Sequence, residues 1–93
     1  MLVIAQHIIN NPEKFWSSAK QIISVLPSHL KLHSVFPSKD MRTGTCVWEA
    51  DSTANVQRFL DENLGDISKN NCYEVNEEAA VGLPESLHAQ AHS

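Results

Sequence analysis

A chain of 93 residues with 42% apolar side chains makes one domain with a single modest core, and it excludes a globally disordered protein. Seven basic against eleven acidic residues leave a formal net charge of −4, without the basic run that phosphate-backbone binding needs, so nucleic acid is not an expected partner. With only three glycines and no GxSxG element, a phosphate-cradling loop, a dinucleotide fingerprint and a nucleophile elbow are not supported either.

The N-terminal MLVIAQHII lacks the basic start of a signal peptide, and Gln6 and His7 interrupt it early. It is also too short to cross a bilayer, so no membrane partner is expected. Cys46 and Cys72 have neither the density of a disulfide scaffold nor the paired spacing of a structural zinc site, which points to a reducing, cytoplasmic home.

Leu2 to Ile9 reads as a first strand. Its alternating sets are both apolar, with Leu2, Ile4 and Ile8 on one face and Val3, Ala5 and Ile9 on the other, the pattern of a strand covered on both sides. Asn11 and Pro12 then open a helix as N-cap and N1, with Glu13 in the first turn. Phe15, Ala19, Ile22, Ile23 and Leu26 make one apolar stripe along it, and Pro27 marks its end.

Leu30–Phe36 and Thr43–Ala50 form a hairpin around a polar tip containing Pro37, Ser38, Asp40 and Gly44. Alternation places Leu30, Leu32, Ser34 and Phe36 inward in the first arm and Lys31, His33 and Val35 outward. In the second arm Gly44, Cys46, Trp48 and Ala50 point inward, with Thr45, Val47 and Glu49 outward. Asp51 or Ser52 caps a second helix whose stripe is Val56, Phe59, Leu60 and Leu64, and Gly65 closes it. Cys72–Val75 is a short last strand. Residues 1–76 are therefore expected as the domain and 77–93 as an extension, in which VGLP packs locally and ESLHAQAHS is a mobile tail.

This β-α-β-β-α-β order predicts an α+β, ferredoxin-like split arrangement: a four-stranded antiparallel sheet in the order 4-1-3-2 with both helices on one face. The bare second face, apolar on its first strand, calls for a cover, and a second copy of the chain is the expected one. Order and twice-apolar first strand resemble the dimeric α+β barrel superfamily, in which two such sheets pack face to face. That resemblance implies a homodimer with space for a ligand between sheet and helices; members include small monooxygenases and isomerases. Leu32-His33-Ser34, Asp40 and Cys46-Val47-Trp48-Glu49-Ala50-Asp51 also look like a small ferredoxin-like family with a His-Ser-Tyr and a Cys-Val-Tyr-x-Ala element, for a member of which nickel binding has been proposed. Val35 and Trp48 stand here where that family has tyrosines.

With Leu2 and Ile4 assigned to the helix side, parity puts His7, His33 and Glu49 together on the opposite face, with Glu74 as an additional carboxylate. Two histidines and a carboxylate suit a divalent metal such as nickel or zinc, or acid–base work near neutral pH. The same residues are also what any partly wet sheet face contains. Cys46 and Cys72, assigned to opposite faces, are expected not to pair. Trp16, Trp48, Phe15, Phe36, Phe59 and Tyr73 are core residues or the wall of a ligand pocket. His88 and His92 share one side of the tail only if it is helical, and Lys39, Asp40 and Arg42 are solvated charges at the hairpin tip.

Three functions compete on these grounds. The first is a homodimeric domain binding a small ligand or divalent metal through His7, His33 and Glu49. The second is a cofactor-independent monooxygenase or isomerase acting on a small apolar substrate beside Trp48, with His7 or His33 as proton shuttle. The third is an interaction module without catalytic activity.

Overall fold

The computed structural model describes residues 1–84. Six elements follow in the expected order: β1 (Leu2–Ile9), α1 (Pro12–Ser24), β2 (Lys31–Pro37), β3 (Thr43–Glu49), α2 (Thr53–Leu64) and β4 (Ser68–Glu74). They form a four-stranded antiparallel sheet in the order β2-β3-β1-β4, which is the 4-1-3-2 order read from the other edge, and the fold is ferredoxin-like α+β. The expectations for His88, His92 and the rest of 85–93 lie outside the described residues.

Local chemistry sets the element ends. The Asn11 side chain accepts from the Lys14 backbone N–H at 3.1 Å, and the Ser52 hydroxyl accepts from Asn55 N–H at 3.1 Å, so each helix starts at a side chain that satisfies an otherwise orphaned donor. At the hairpin tip, Asp40 Oδ1 accepts from Ser38 Oγ and from Arg42 N, which pulls its carboxyl below the usual carboxylate range. Between them Met41 adopts φ 65°, the left-handed region that costs a residue with a Cβ about 1–2 kcal/mol.

The core lies between the sheet and the two helices. Val3, Ala5 and Ile9 from β1, Cys46 and Trp48 from β3, and Val56, Leu60 and Leu64 from α2 are buried there with Phe15 of α1. Helix α2 lies close along β4 and β1, whereas α1 reaches the sheet chiefly through Phe15, Trp16, Ala19 and Ile22.

Two face assignments differ from the alternation expected. On β1, the helix-facing set is Val3, Ala5, His7 and Ile9, not Leu2 and Ile4; a strand apolar on both faces gives parity no means to choose between them. On β2, the register slips between Leu32 and Ser34, which leaves His33 unpaired in a β-bulge. Beyond it parity inverts, so Val35 packs on the core while Phe36 stands 61% exposed opposite Thr45.

The open face carries Ile4, Ile8, Val47, Phe36 and Tyr73. The chain after β4 turns back over one corner, where Val81, Gly82, Leu83 and Pro84 line a cleft with Leu2, Ile4, Val47 and Tyr73. The opposite corner, around Gln6, Ile8, Phe36, Thr43 and Thr45, has no such cover among the described residues.

Candidate functional site beneath helix α1

Of the three residues expected to share a face, two do. His33 Nε2 lies 2.8 Å from Glu49 Oε1 on the open face, the bulge at His33 having carried it toward β3. His7 lies on the other side of the sheet, only 2% exposed, so the expected His7, His33 and Glu49 set is not assembled within one chain. Glu74, paired with Val3, also has the parity of the helix side, opposite to Glu49. Among the described residues no group of three His, Cys, Asp or Glu side chains is placed to hold a metal.

Buried beneath α1, His7 makes partners that parity had hidden. Its Nδ1 is 2.7 Å from Asn70 Oδ1 and its Nε2 3.3 Å from Cys46 Sγ. The Asn70 amide is oriented by what surrounds it: Nδ2 donates to Asp61 Oδ1 at 3.2 Å, and Oδ1 accepts from Ser68 Oγ at 2.9 Å. With Oδ1 turned to the ring, His7 carries its proton on Nδ1 and donates it to Asn70, and its Nε2 lone pair receives the Cys46 S–H. Gln57 completes the support from α2. Its Nε2 donates to Asn70 O at 2.6 Å and its Oε1 accepts from Cys72 N at 3.1 Å, which locks β4 to the helix.

Burial sets the charge state of this line. It lowers the His7 pKa below the ordinary histidine value, opposed by the bond to Asn70. It pushes the Cys46 thiol up to about 12, with Cys72 adding to the effect, and the Cys72 thiol up to about 11, with the Asp61 carboxylate adding. The thiol–imidazole pair is therefore neutral at pH 7 to 8.

Cys46 and Cys72 lie on the same face, each paired with Ala5 of the strand between them, which corrects the opposite faces expected for them. Both are free thiols.

The pair stands at the wall of a cavity of about 30 Å³, enough for a water-sized molecule but far too small for an aromatic ring. Its other walls are apolar: Phe15, Trp16, Ala19 and Ile22 of α1, Leu32 and Val35 of β2, and Trp48 of β3. Ile23, also on its wall, is 43% exposed, so the cavity comes near the surface beside α1. Trp16 is held by its indole N–H, which donates to Met41 O at 2.9 Å. The Trp48 indole N–H, by contrast, is the one fully buried side-chain N–H or oxygen among the described residues with no hydrogen-bond partner. Leaving such a donor unmade costs about 1–3 kcal/mol.

Asn70 and the Cys46–His7 contact were not expected from the sequence. The signal that carries them is the polar run Ser68-Lys69-Asn70-Asn71, whose alternate members Ser68 and Asn70 turn inward once β4 is extended back to Ser68. Comparison with known protein families, with characterised proteins and with solved structures finds no match for this chain.

Proposed function

We propose that the protein is a homodimeric domain that binds a small, mainly apolar ligand between α1 and the sheet, the cavity widening as α1 moves outward to admit it. The observation that carries this reading is the apolar cavity beneath α1, a helix that reaches the sheet chiefly through Phe15, Trp16, Ala19 and Ile22 and beside which the cavity comes near the surface at Ile23. A ligand with an apolar body matches that lining. The cavity size weighs against ring-bearing substrates of the monooxygenase and isomerase kind.

Self-association is supported by the open face. Ile8 and Phe36 are 54% and 61% exposed at the corner left uncovered, and Tyr73 stays 51% exposed beside the chain's own C-terminal segment. A second copy related by a two-fold axis brings the same apolar centre against itself. Two unpaired cysteines suit a reducing, cytoplasmic setting.

A divalent metal such as nickel is the second reading, favoured by the His33–Glu49 contact on that same face, where a dimer brings two such pairs into one interface. Native mass spectrometry of protein purified without a metal-affinity tag tests both readings. A dimer retaining an organic mass supports the first and a retained metal the second, whereas an empty monomer overturns both.

A further inference from the structure

An open sheet has two edges, and each leaves a row of outward backbone N–H and C=O groups on which a further strand can pair. The ladder bonds fix which residues those are here. Val75 N donates to Leu2 O and Asn10 N to Ile67 O, so in β4 Lys69, Asn71 and Tyr73 bond to β1, while Ser68, Asn70, Cys72 and Glu74 present their backbone groups outward. Ser38 N donates to Thr43 O, so in β2 beyond the bulge Val35 and Pro37 are the residues that face outward.

The two edges are blunted by different means. On β2 the bulge at His33 interrupts the row, and Pro37, which has no N–H, falls where a donor would have faced outward. β4 has neither device: Ser68–Glu74 contains no proline, and its register with β1 has no shift. The middle of its edge is taken instead by a side chain. Gln57 of α2 donates from Nε2 to Asn70 O at 2.6 Å and accepts at Oε1 from Cys72 N at 3.1 Å. An amide that donates to the residue before Asn71 and accepts from the residue after it makes the two bonds that one residue of a parallel strand would make opposite Asn71. Asp61, one turn further along α2, accepts from the same Nε2 at 3.1 Å and so fixes the amide in that orientation.

We infer that Gln57 is an edge lock, its amide standing in the place of a further strand and closing β4 to pairing with a strand of a second copy of the chain. The inference is independent of the ligand and metal readings. It bears on self-association by directing it: with β4 plugged and β2 interrupted, the sheet does not run on from one copy into the next, and the open face is the surface left for a partner copy. The lock acts through two hydrogen bonds to backbone groups, so a side chain of the same length without them does not replace it.

The test uses the full chain and reads the lock and its consequence separately. Native-state amide exchange needs no substitution. The Cys72 N–H, bonded to Gln57, is expected to have a protection factor about tenfold above that of the Glu74 N–H, which faces outward on the same edge with no partner among the described residues. Equal protection overturns the proposal by itself. Gln57→Met, checked for folding by circular dichroism, keeps the length of the side chain and removes both bonds, and is expected to bring Cys72 down to the level of Glu74. Association is then followed by light scattering coupled to size exclusion in the Phe36→Lys background, where the open face carries a charge and a gain of mass has to come from an edge. The chain carrying both substitutions is expected to add larger species as concentration rises, and the chain carrying Phe36→Lys alone to keep one mass. A folded double variant that has lost its protection at Cys72 yet keeps that same mass overturns the proposal. Persistence of a dimer in Phe36→Lys alone contradicts the open-face interface instead, and the comparison with the double variant still decides the lock.

Discussion

His7 on β1 and Cys46 on β3 are diagonal neighbours on the helix-facing side of the sheet, brought to 3.3 Å because His7 is paired with Gly44 and Cys46 with Ala5. The two small partners leave the space that the imidazole and the thiol fill. Trp16 then closes over Gly44 from α1, its ring tied down by Met41 at the hairpin tip.

Gly44 is accordingly fixed by close approach. A Cβ there would stand 3.1 Å from Trp16 Cη2 and 3.9 Å from the His7 ring. Gly44→Val, whose methyl groups reach further, is expected to destabilise the protein by about 1–3 kcal/mol through overpacking, read from urea unfolding. Unchanged stability would show that Trp16 is free to move aside.

The burial of His7 makes stability depend on pH in a defined direction. Its folded pKa is lowered, so below about pH 6.5 the unfolded chain binds a proton that the folded one refuses. The contribution is therefore fully present above that pH and is lost as pH falls toward the folded value. The wild-type curve is expected to drop more steeply than that of His7→Gln in this window, by at most about 1.4 kcal/mol per pH unit, the limit for one proton. Parallel curves would contradict the buried neutral ring.

Asn70→Ala removes the acceptor of His7 and the donor to Asp61 in one change. An expected loss of about 2–3 kcal/mol follows from leaving buried polar groups unpaired. Cys46 should also become more open to thiol reagents, measured by the rate of thiol labelling below the unfolding midpoint, since nothing then holds the ring across it.

Phe36→Lys places a charge in the uncovered corner of the exposed apolar face without touching the core. Light scattering coupled to size exclusion is expected to show a shift from dimer to monomer, with the far-ultraviolet dichroism unchanged. An unaltered dimer would move the interface elsewhere.

The sequence made the element order, the Asn11 N-cap and the helix stripes legible, because capping chemistry and 3.6-residue spacing are local signals, and it narrowed the second N-cap to Asp51 or Ser52, of which Ser52 is observed. The strand order followed from connection handedness and is the one observed. The site was legible only in pieces. Cys46 and Trp48 were read inward correctly, but His7 was assigned to the wrong side because β1 is apolar on both faces. Asn70 was lost because Ser68 to Asn71 has little strand propensity; its extended form is held by the pairing to β1 and by Gln57. The bulge at His33 has no local signature, yet it decides which face Val35 and Phe36 take.

The most direct test of the ligand site reads the two indole N–H signals of the chain in a nitrogen–proton correlation spectrum, assigned with Trp16→Phe. The Trp16 N–H already donates to Met41 O, while that of Trp48 has no acceptor. On titration with butan-2-one, both signals are expected to move saturably, since both rings line the cavity. A Trp48 signal that does not move, at ketone concentrations that leave the protein folded, would contradict the account.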